Sequence, residues 1–112
     1  NPSTGLLSVP GVSTSGNITI AGNLTVNGTT TTVATTNTTI TDNLLELNSG
    51  AGSNANDCGI LIERGSTGDN AIIAWDESND TFKIGTTTST NTATGDLTIS
   101  TGTLVAALIG DV

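Results

Sequence analysis

Three carboxylates crowd into the five residues Asp76-Glu77-Ser78-Asn79-Asp80, and acids this close can support two kinds of chemistry. A pair can cleave a glycosidic bond, one acting as acid and the other as base or nucleophile. A cluster of oxygens can hold calcium. A simpler reading competes with both. Asp, Ser and Asn are turn residues, because their short side chains bond nearby backbone and tolerate left-handed conformations. Trp75 is the single tryptophan and there is no tyrosine, so no aromatic cluster accompanies the acids to stack on a sugar. The Asp-x-Asp-x-Asp-Gly spacing with a distal Glu of an EF-hand is missing, as is the glycine-rich nonapeptide of calcium-binding β-rolls. The stretch is expected to be a polar hairpin turn, with no catalytic, cofactor-binding or metal residue in it.

Other chemistries fail on inventory. The chain has no His, and Cys58 is its only cysteine. Ser–His and Cys–His nucleophiles and zinc sites therefore lack their parts, and the chain is not expected to be an enzyme. Ten acids face only Arg64 and Lys83, a net charge of −8. Two cations cannot build a phosphate-binding patch, so nucleic acid is not an expected partner. No apolar run approaches the roughly 18 residues of a membrane span, so no membrane insertion is expected. Cys58 is expected to be a small buried hydrophobe at a strand start. Arg64 is expected to pair with an acid such as Asp76.

The positioning elements are read from periodicity. Residues 1–16 form an irregular lead-in with a turn at Pro10-Gly11. Over residues 17–48, short apolar–Thr–apolar runs follow one another: Ile18-Thr19-Ile20, Leu24-Thr25-Val26, Thr38-Thr39-Ile40 and Leu44-Leu45-Glu46-Leu47. A two-residue period with β-branched Thr predicts strands. Asn-Gly and Gly-Asn pairs between them predict turns. The turns come too often for a sandwich and suit a chain winding about an axis. A small-residue loop follows at 49–57. Residues 58–85 read as a three-stranded antiparallel meander, with strands at 59–64, 70–76 and 81–85 and hairpin-length connections. A second loop spans 86–95. Residues 96–112 open on Asp96-Leu97-Thr98-Ile99, a weak repeat of Asn23-Leu24-Thr25-Val26, and begin a second winding segment. The fold class is thus all-β: short-strand winding, β-prism-like or β-solenoid-like segments flanking a meander.

Core material is thin. Ile, Leu, Val and Phe together make up 27 of 112 residues, with one Phe and one Trp. Chains that cannot close a core alone oligomerise, stack, or use metals and disulfides. A lone cysteine leaves association, and an intertwined homotrimer is expected. Its axis would be lined by Ile18, Ile20, Leu24, Val26, Ile40 and Leu47. The meander core would be made of Ile60, Ile62, Ile72, Trp75, Phe82 and Ile84, with Trp75 serving either there or as a plug between subunits. With no initiator Met, the sequence is expected to be a segment of a longer chain.

Taken together, Gly22-Asn23-Leu24-Thr25-Val26-Asn27-Gly28-Thr29-Thr30-Thr31-Thr32-Val33, Asp42-Asn43-Leu44-Leu45-Glu46-Leu47-Asn48, Asp57 to Gly65, Ala74-Trp75-Asp76-Glu77 and Phe82-Lys83-Ile84-Gly85 resemble the repeated modules of tail-fibre and related virion structural proteins of marine tailed phages, including cyanophages. The resemblance covers about residues 17–101. Cys58 stands where a small residue is usual. It implies a homotrimeric fibre segment of the virion that spaces or presents a receptor-binding tip. Its implied partners are other copies, other virion or fibre proteins, and a host surface glycan or protein. It brings no catalytic residue. The competing expectation is a bacterial extracellular β-rich filament or adhesin whose subunits polymerise by strand donation.

Overall fold

The computed structural model describes residues 5–110. The first four residues of the expected lead-in and the last two of the expected final segment lie outside them. The chain divides into two units, Asn1–Ile40 and Thr41–Val112. Among the described residues the regular structure is all β, without a helix.

Every strand belongs to the second unit. Strand β1 is Cys58–Ile62, β2 is Asn70–Asp76, β3 is Thr81–Thr87 and β4 is Ser100–Thr101. They form one open antiparallel sheet in the order β1-β2-β3-β4. The meander is present as consecutive hairpins, and β4 adds a short fourth strand along Gly85 and Thr86. Residues with β-branched and aromatic side chains fill β2 and β3, as strands favour. The β2–β3 turn closes with Asp80 at φ 52°, a left-handed conformation that Asp accepts at small cost.

Two glycines allow backbones to approach closely. A Cβ on Gly59 would collide with the Ile73 carbonyl and lie 2.8 Å from the Ala74 Cβ. A Cβ on Gly85 would collide with the Ser100 carbonyl, where β4 crosses.

The first unit departs from expectation. None of the runs in residues 17–48 pairs into a ladder within the chain, and every residue there is exposed. A three-residue run makes too few ladder bonds to stand as a strand without a neighbour, and no neighbouring run of the same chain takes that place. Local order comes from hydroxyls: Thr14 Oγ1 donates to the Gly16 carbonyl at 3.1 Å, and Thr35 Oγ1 to the Asn37 carbonyl at 3.3 Å.

Register assigns the two faces of the sheet. Residues directly opposite in an antiparallel pair share a face, and successive residues alternate. One face carries Gly59 and Leu61, then Ala74 and Ile72, then Lys83, Gly85 and Thr87. The other carries Cys58, Ile60 and Ile62, then Trp75, Ile73 and Ala71, then Phe82, Ile84 and Thr86. The first face is covered by residues 89–97: a shallow groove there is lined by Asp57, Gly59, Leu61, Ile72, Thr90, Ala93 and Leu97, among others. Ile72 and Ala74 are the buried apolar residues of this face. The second face is open.

This differs from the expected meander core. Ile72 is enclosed, but Ile60, Ile62, Phe82 and Ile84 are exposed within the chain, Phe82 by 77%. Trp75, half-buried, lies with them. The reason is the cover. A segment of Ser, Thr, Asn, Ala, Gly and Asp whose one large apolar side chain is Leu97 can seat against Gly, Ala and Thr, but it has little bulk with which to enclose Trp and Phe.

Candidate functional site

Two features of the second unit invite a functional reading: a carboxylate cluster beside the covered face, and the open apolar face.

The cluster begins at the β2 terminus. Asp76 alternates onto the covered face and is only 2% exposed. Its carboxylate caps the β2–β3 turn. Oδ1 accepts from the Ser78 amide at 3.1 Å, the Ser78 hydroxyl at 2.8 Å and the Asn79 amide at 3.3 Å. Oδ2 accepts from Asn79 Nδ2 at 2.8 Å and forms an ion pair with Lys83. Lys83 shares the face because it lies opposite Ala74, diagonal to Asp76. The Lys83 hydrogen bond, followed by those from Asn79 and Ser78, holds the Asp76 carboxyl well below the usual carboxylate range, against the opposing effect of burial. Asp76 in turn raises the Lys83 ammonium above its usual range, with Asp57 and Asp96 adding to the field.

Asp57 joins from the loop before β1. Its Oδ1 accepts from the Glu77 amide and its Oδ2 from the Leu97 amide, both at 2.9 Å. Its own amide donates to the Gly95 carbonyl at 2.9 Å, and the Gly95 amide donates to Asn56 Oδ1 at 2.8 Å. Residues 56–57, 77 and 95–97 are thereby tied at one point. Carboxylate oxygens of Asp57, Asp76 and Asp96 come within 4.8 Å of one another, a spacing that could hold a cation. The oxygens of Asp57 and Asp76, however, are already engaged by amides, an amide side chain, a hydroxyl and an ammonium of the same chain. The chemistry of this arrangement is that of a brace.

The expected polar turn is where Asp76, Glu77 and Asp80 fall. Glu77 accepts from the Trp75 indole N–H at 2.9 Å and from Asn54 Nδ2 at 2.8 Å. Asp76 is a fully engaged acceptor, with no poised proton for general-acid work. The expected Arg64–Asp76 pair is not formed. Arg64 follows β1 at the end of the sheet remote from Asp76, and its guanidinium donates to the Asp69 carbonyl at 3.1 Å. Cys58 is half-buried, its thiol 3.5 Å from the Asn56 carbonyl.

The six residues expected at a shared axis, Ile18, Ile20, Leu24, Val26, Ile40 and Leu47, are all exposed, from 47% to 70%. On the open face of the sheet, Trp75 and Phe82 stand opposite each other with ring centroids 5.0 Å apart at 73°, an edge-to-face pair. Sequence reasoning missed Asn56, Asp57, Asp96 and Thr87. Thr87 is buried, donating to the Thr98 carbonyl at 2.8 Å and accepting from the Ser89 amide. Their partners lie up to 40 residues away, beyond the reach of local pattern.

Comparison of the chain with protein-family models, curated proteins and solved structures finds no match.

Proposed function

We propose that this chain is a structural segment of a homotrimeric phage tail fibre, a virion component that spaces or presents a receptor-binding tip and carries no catalysis of its own. The observation that carries the reading is the set of apolar runs in residues 17–47. Their Leu, Ile and Val side chains stand among Thr in strand-like runs, yet they are exposed and form no strand ladder inside the chain. Apolar side chains in that number call for a covering surface. Copies of one chain wound together would pair the short runs and remove the free edges that open β-structure otherwise presents. In such a fibre the partners are the other two chains, adjoining virion proteins and, at a distal tip, a host surface glycan or protein.

A second reading, an extracellular filament built by strand donation, draws on one observation. β1 is an end strand of the open sheet, and β4 covers only two residues of β3. An incoming strand could extend either edge. Light scattering of the native chain separates the readings. The fibre reading requires a discrete particle of three times the chain mass. An open series of masses that grows with concentration would favour the filament, and a folded monomer at micromolar concentration would exclude both.

A further inference from the structure

We propose that Asn27 is a site of spontaneous covalent modification, at which the side-chain amide cyclises onto the Gly28 nitrogen and reopens as an isoaspartyl or aspartyl residue. The site needs only the local conformation of one segment and is independent of the oligomer proposed above.

The chemistry uses two adjacent residues and water. The Gly28 nitrogen loses its proton and forms a bond to the Asn27 side-chain carbonyl carbon, closing a succinimide ring. The bond from that carbon to the side-chain NH2 breaks, and the departing nitrogen takes up a proton and leaves as ammonia. Water then adds to either ring carbonyl, and the ring C–N bond breaks there. Opening at the side-chain carbonyl leaves an aspartyl residue. Opening at the main-chain carbonyl leaves an isoaspartyl residue, with the backbone rerouted through the side chain. Nothing is oxidised or reduced, and the net exchange is ammonia for water. Asparagine counts among the thermolabile residues.

Sequence and structure together single out this asparagine. Attack requires a following nitrogen that is unhindered and unbonded, and glycine, without a Cβ, hinders least. Of the twelve asparagines only Asn27 precedes a glycine. Four of the others are held by their side chains: Asn54 donates to Glu77 and Asn79 to Asp76, while Asn56 accepts from the Gly95 amide and Asn70 from the Arg64 amide. Asn27 is exposed, and Gly28 begins a bend outside any strand. Among the described residues nothing hydrogen-bonds the Asn27 side chain or the Gly28 amide. No heavy atom lies within 4 Å of the position that a Cβ on Gly28 would take, so the ring has room to form. The bend falls between the run Leu24-Thr25-Val26 and the run Thr29 to Val33, the place a turn occupies when such runs pair. Modification there changes what the runs can do. An isoaspartyl link lengthens the connection between them and so disturbs their register. Either product adds one negative charge to a chain already at −8.

Ageing the full chain at mildly alkaline pH, where the Gly28 amide gives up its proton more readily, tests this. Isoelectric focusing should show a more acidic species growing in first. Fragmentation mass spectrometry should place the NH2-to-OH exchange at Asn27, with two isomers of the same mass. Gly28→Ala is allowed by the open space and the absence of a left-handed φ at this glycine. It should slow the change about tenfold or more, because a methyl in the path of the ring raises the barrier and the rate falls exponentially with it. Thr29→Ala, one residue further on, should leave the rate unchanged. None of these readouts depends on particle mass, so the fibre reading stands or falls separately. A first acidic species that maps to another asparagine, such as Asn48 before Ser49, would overturn the inference. So would a rate that Gly28→Ala leaves unaltered. A full chain that outlasts a synthetic peptide of residues 23–33 by about tenfold or more would overturn it too, since Asn27 would then be held in the native protein.

Discussion

Removing the Asp57 carboxylate is the sharpest perturbation of the brace. Asp57 is only 9% exposed and accepts from two backbone amides, Glu77 in the β2–β3 turn and Leu97 beyond the covering loop, at 2.9 Å each. Asp57→Ala leaves both donors in a partly dry site without an acceptor. An unsatisfied buried group costs about 1–3 kcal/mol, so the pair should cost about 2–6 kcal/mol. A small domain has only about 5–15 kcal/mol in total. At roughly 4–8 °C per kcal/mol for a unit of this size, the melting temperature should fall by about 10 °C or more at fixed protein concentration. Asp57→Asn retains one acceptor and presents an NH2 to the other amide, so it should lose about half as much. Hydrogen exchange gives the local readout: the Glu77 and Leu97 amides should lose protection first, ahead of the β2–β3 ladder. A melting temperature of Asp57→Ala within about 2 °C of the parent would refute the reasoning, since it would mean that water replaces the carboxylate without loss and that the cover is not held there.

Two further outcomes follow from the same region. The Asp76 carboxyl is lowered from its ordinary 3.8 by Lys83, so its contribution to stability is fully present above 3.8 and is lost as pH falls through the folded-state value. Lys83 is raised from 10.5, so its contribution is present below 10.5 and is lost as pH rises through the raised value. Calorimetry from acid to alkaline pH should show a plateau between these limits, and Asp76→Asn should flatten the acid slope; an unchanged acid slope in that variant would assign the acid loss to other groups. Gly85→Ala should detach β4 by driving a Cβ into the Ser100 carbonyl, at about 1–3 kcal/mol. Limited proteolysis should then cut within residues 98–110 sooner than in the parent, and an unaltered cleavage rate would show that β4 shifts to make room.

The meander was legible because its signals are local. The apolar run Ala71 to Trp75 and the acid-rich turn at 77–80 put Trp75 and Phe82 on successive strands across a short turn, and the rings do pack there. Which face the chain would enclose was not legible. Period-two alternation assigns residues to two faces but does not say which one is covered, and side-chain size pointed to the wrong one. The covering segment, residues 89–97, reads only as a polar loop until its contacts with Asn56, Asp57 and Thr87 are known. The Lys83–Asp76 pair could have been found from the hairpin alone. A four-residue turn places Asp76 opposite Thr81 and hence diagonal to Lys83, whereas Arg64 lies at the far end of the sheet. The runs of residues 17–48 carry the strand pattern without the strand. Pattern reports which side chains want cover, and it is silent on whether the cover belongs to the same chain.

The two faces of the sheet divide the apolar and polar work unusually. In most small domains the large side chains are enclosed and hydrogen bonds finish the edges. Here the covered face is Gly59, Leu61, Ile72, Ala74, Gly85 and Thr87, with Lys83 and Asp76 towards one end, closed by a thin loop. Apolar area of that size contributes little at about 25 cal/mol per Å². The loop is instead fastened at three polar points: Asp57 to Leu97, Asn56 to Gly95, and Thr87 to Thr98. Hydrogen bonds are directional and short-ranged, so they set the position of a loop more sharply than apolar contact does. Such a unit can hold one conformation while leaving Ile60, Ile73, Trp75 and Phe82 outside. The arrangement makes physical sense if the large side chains serve contacts that a single chain cannot make.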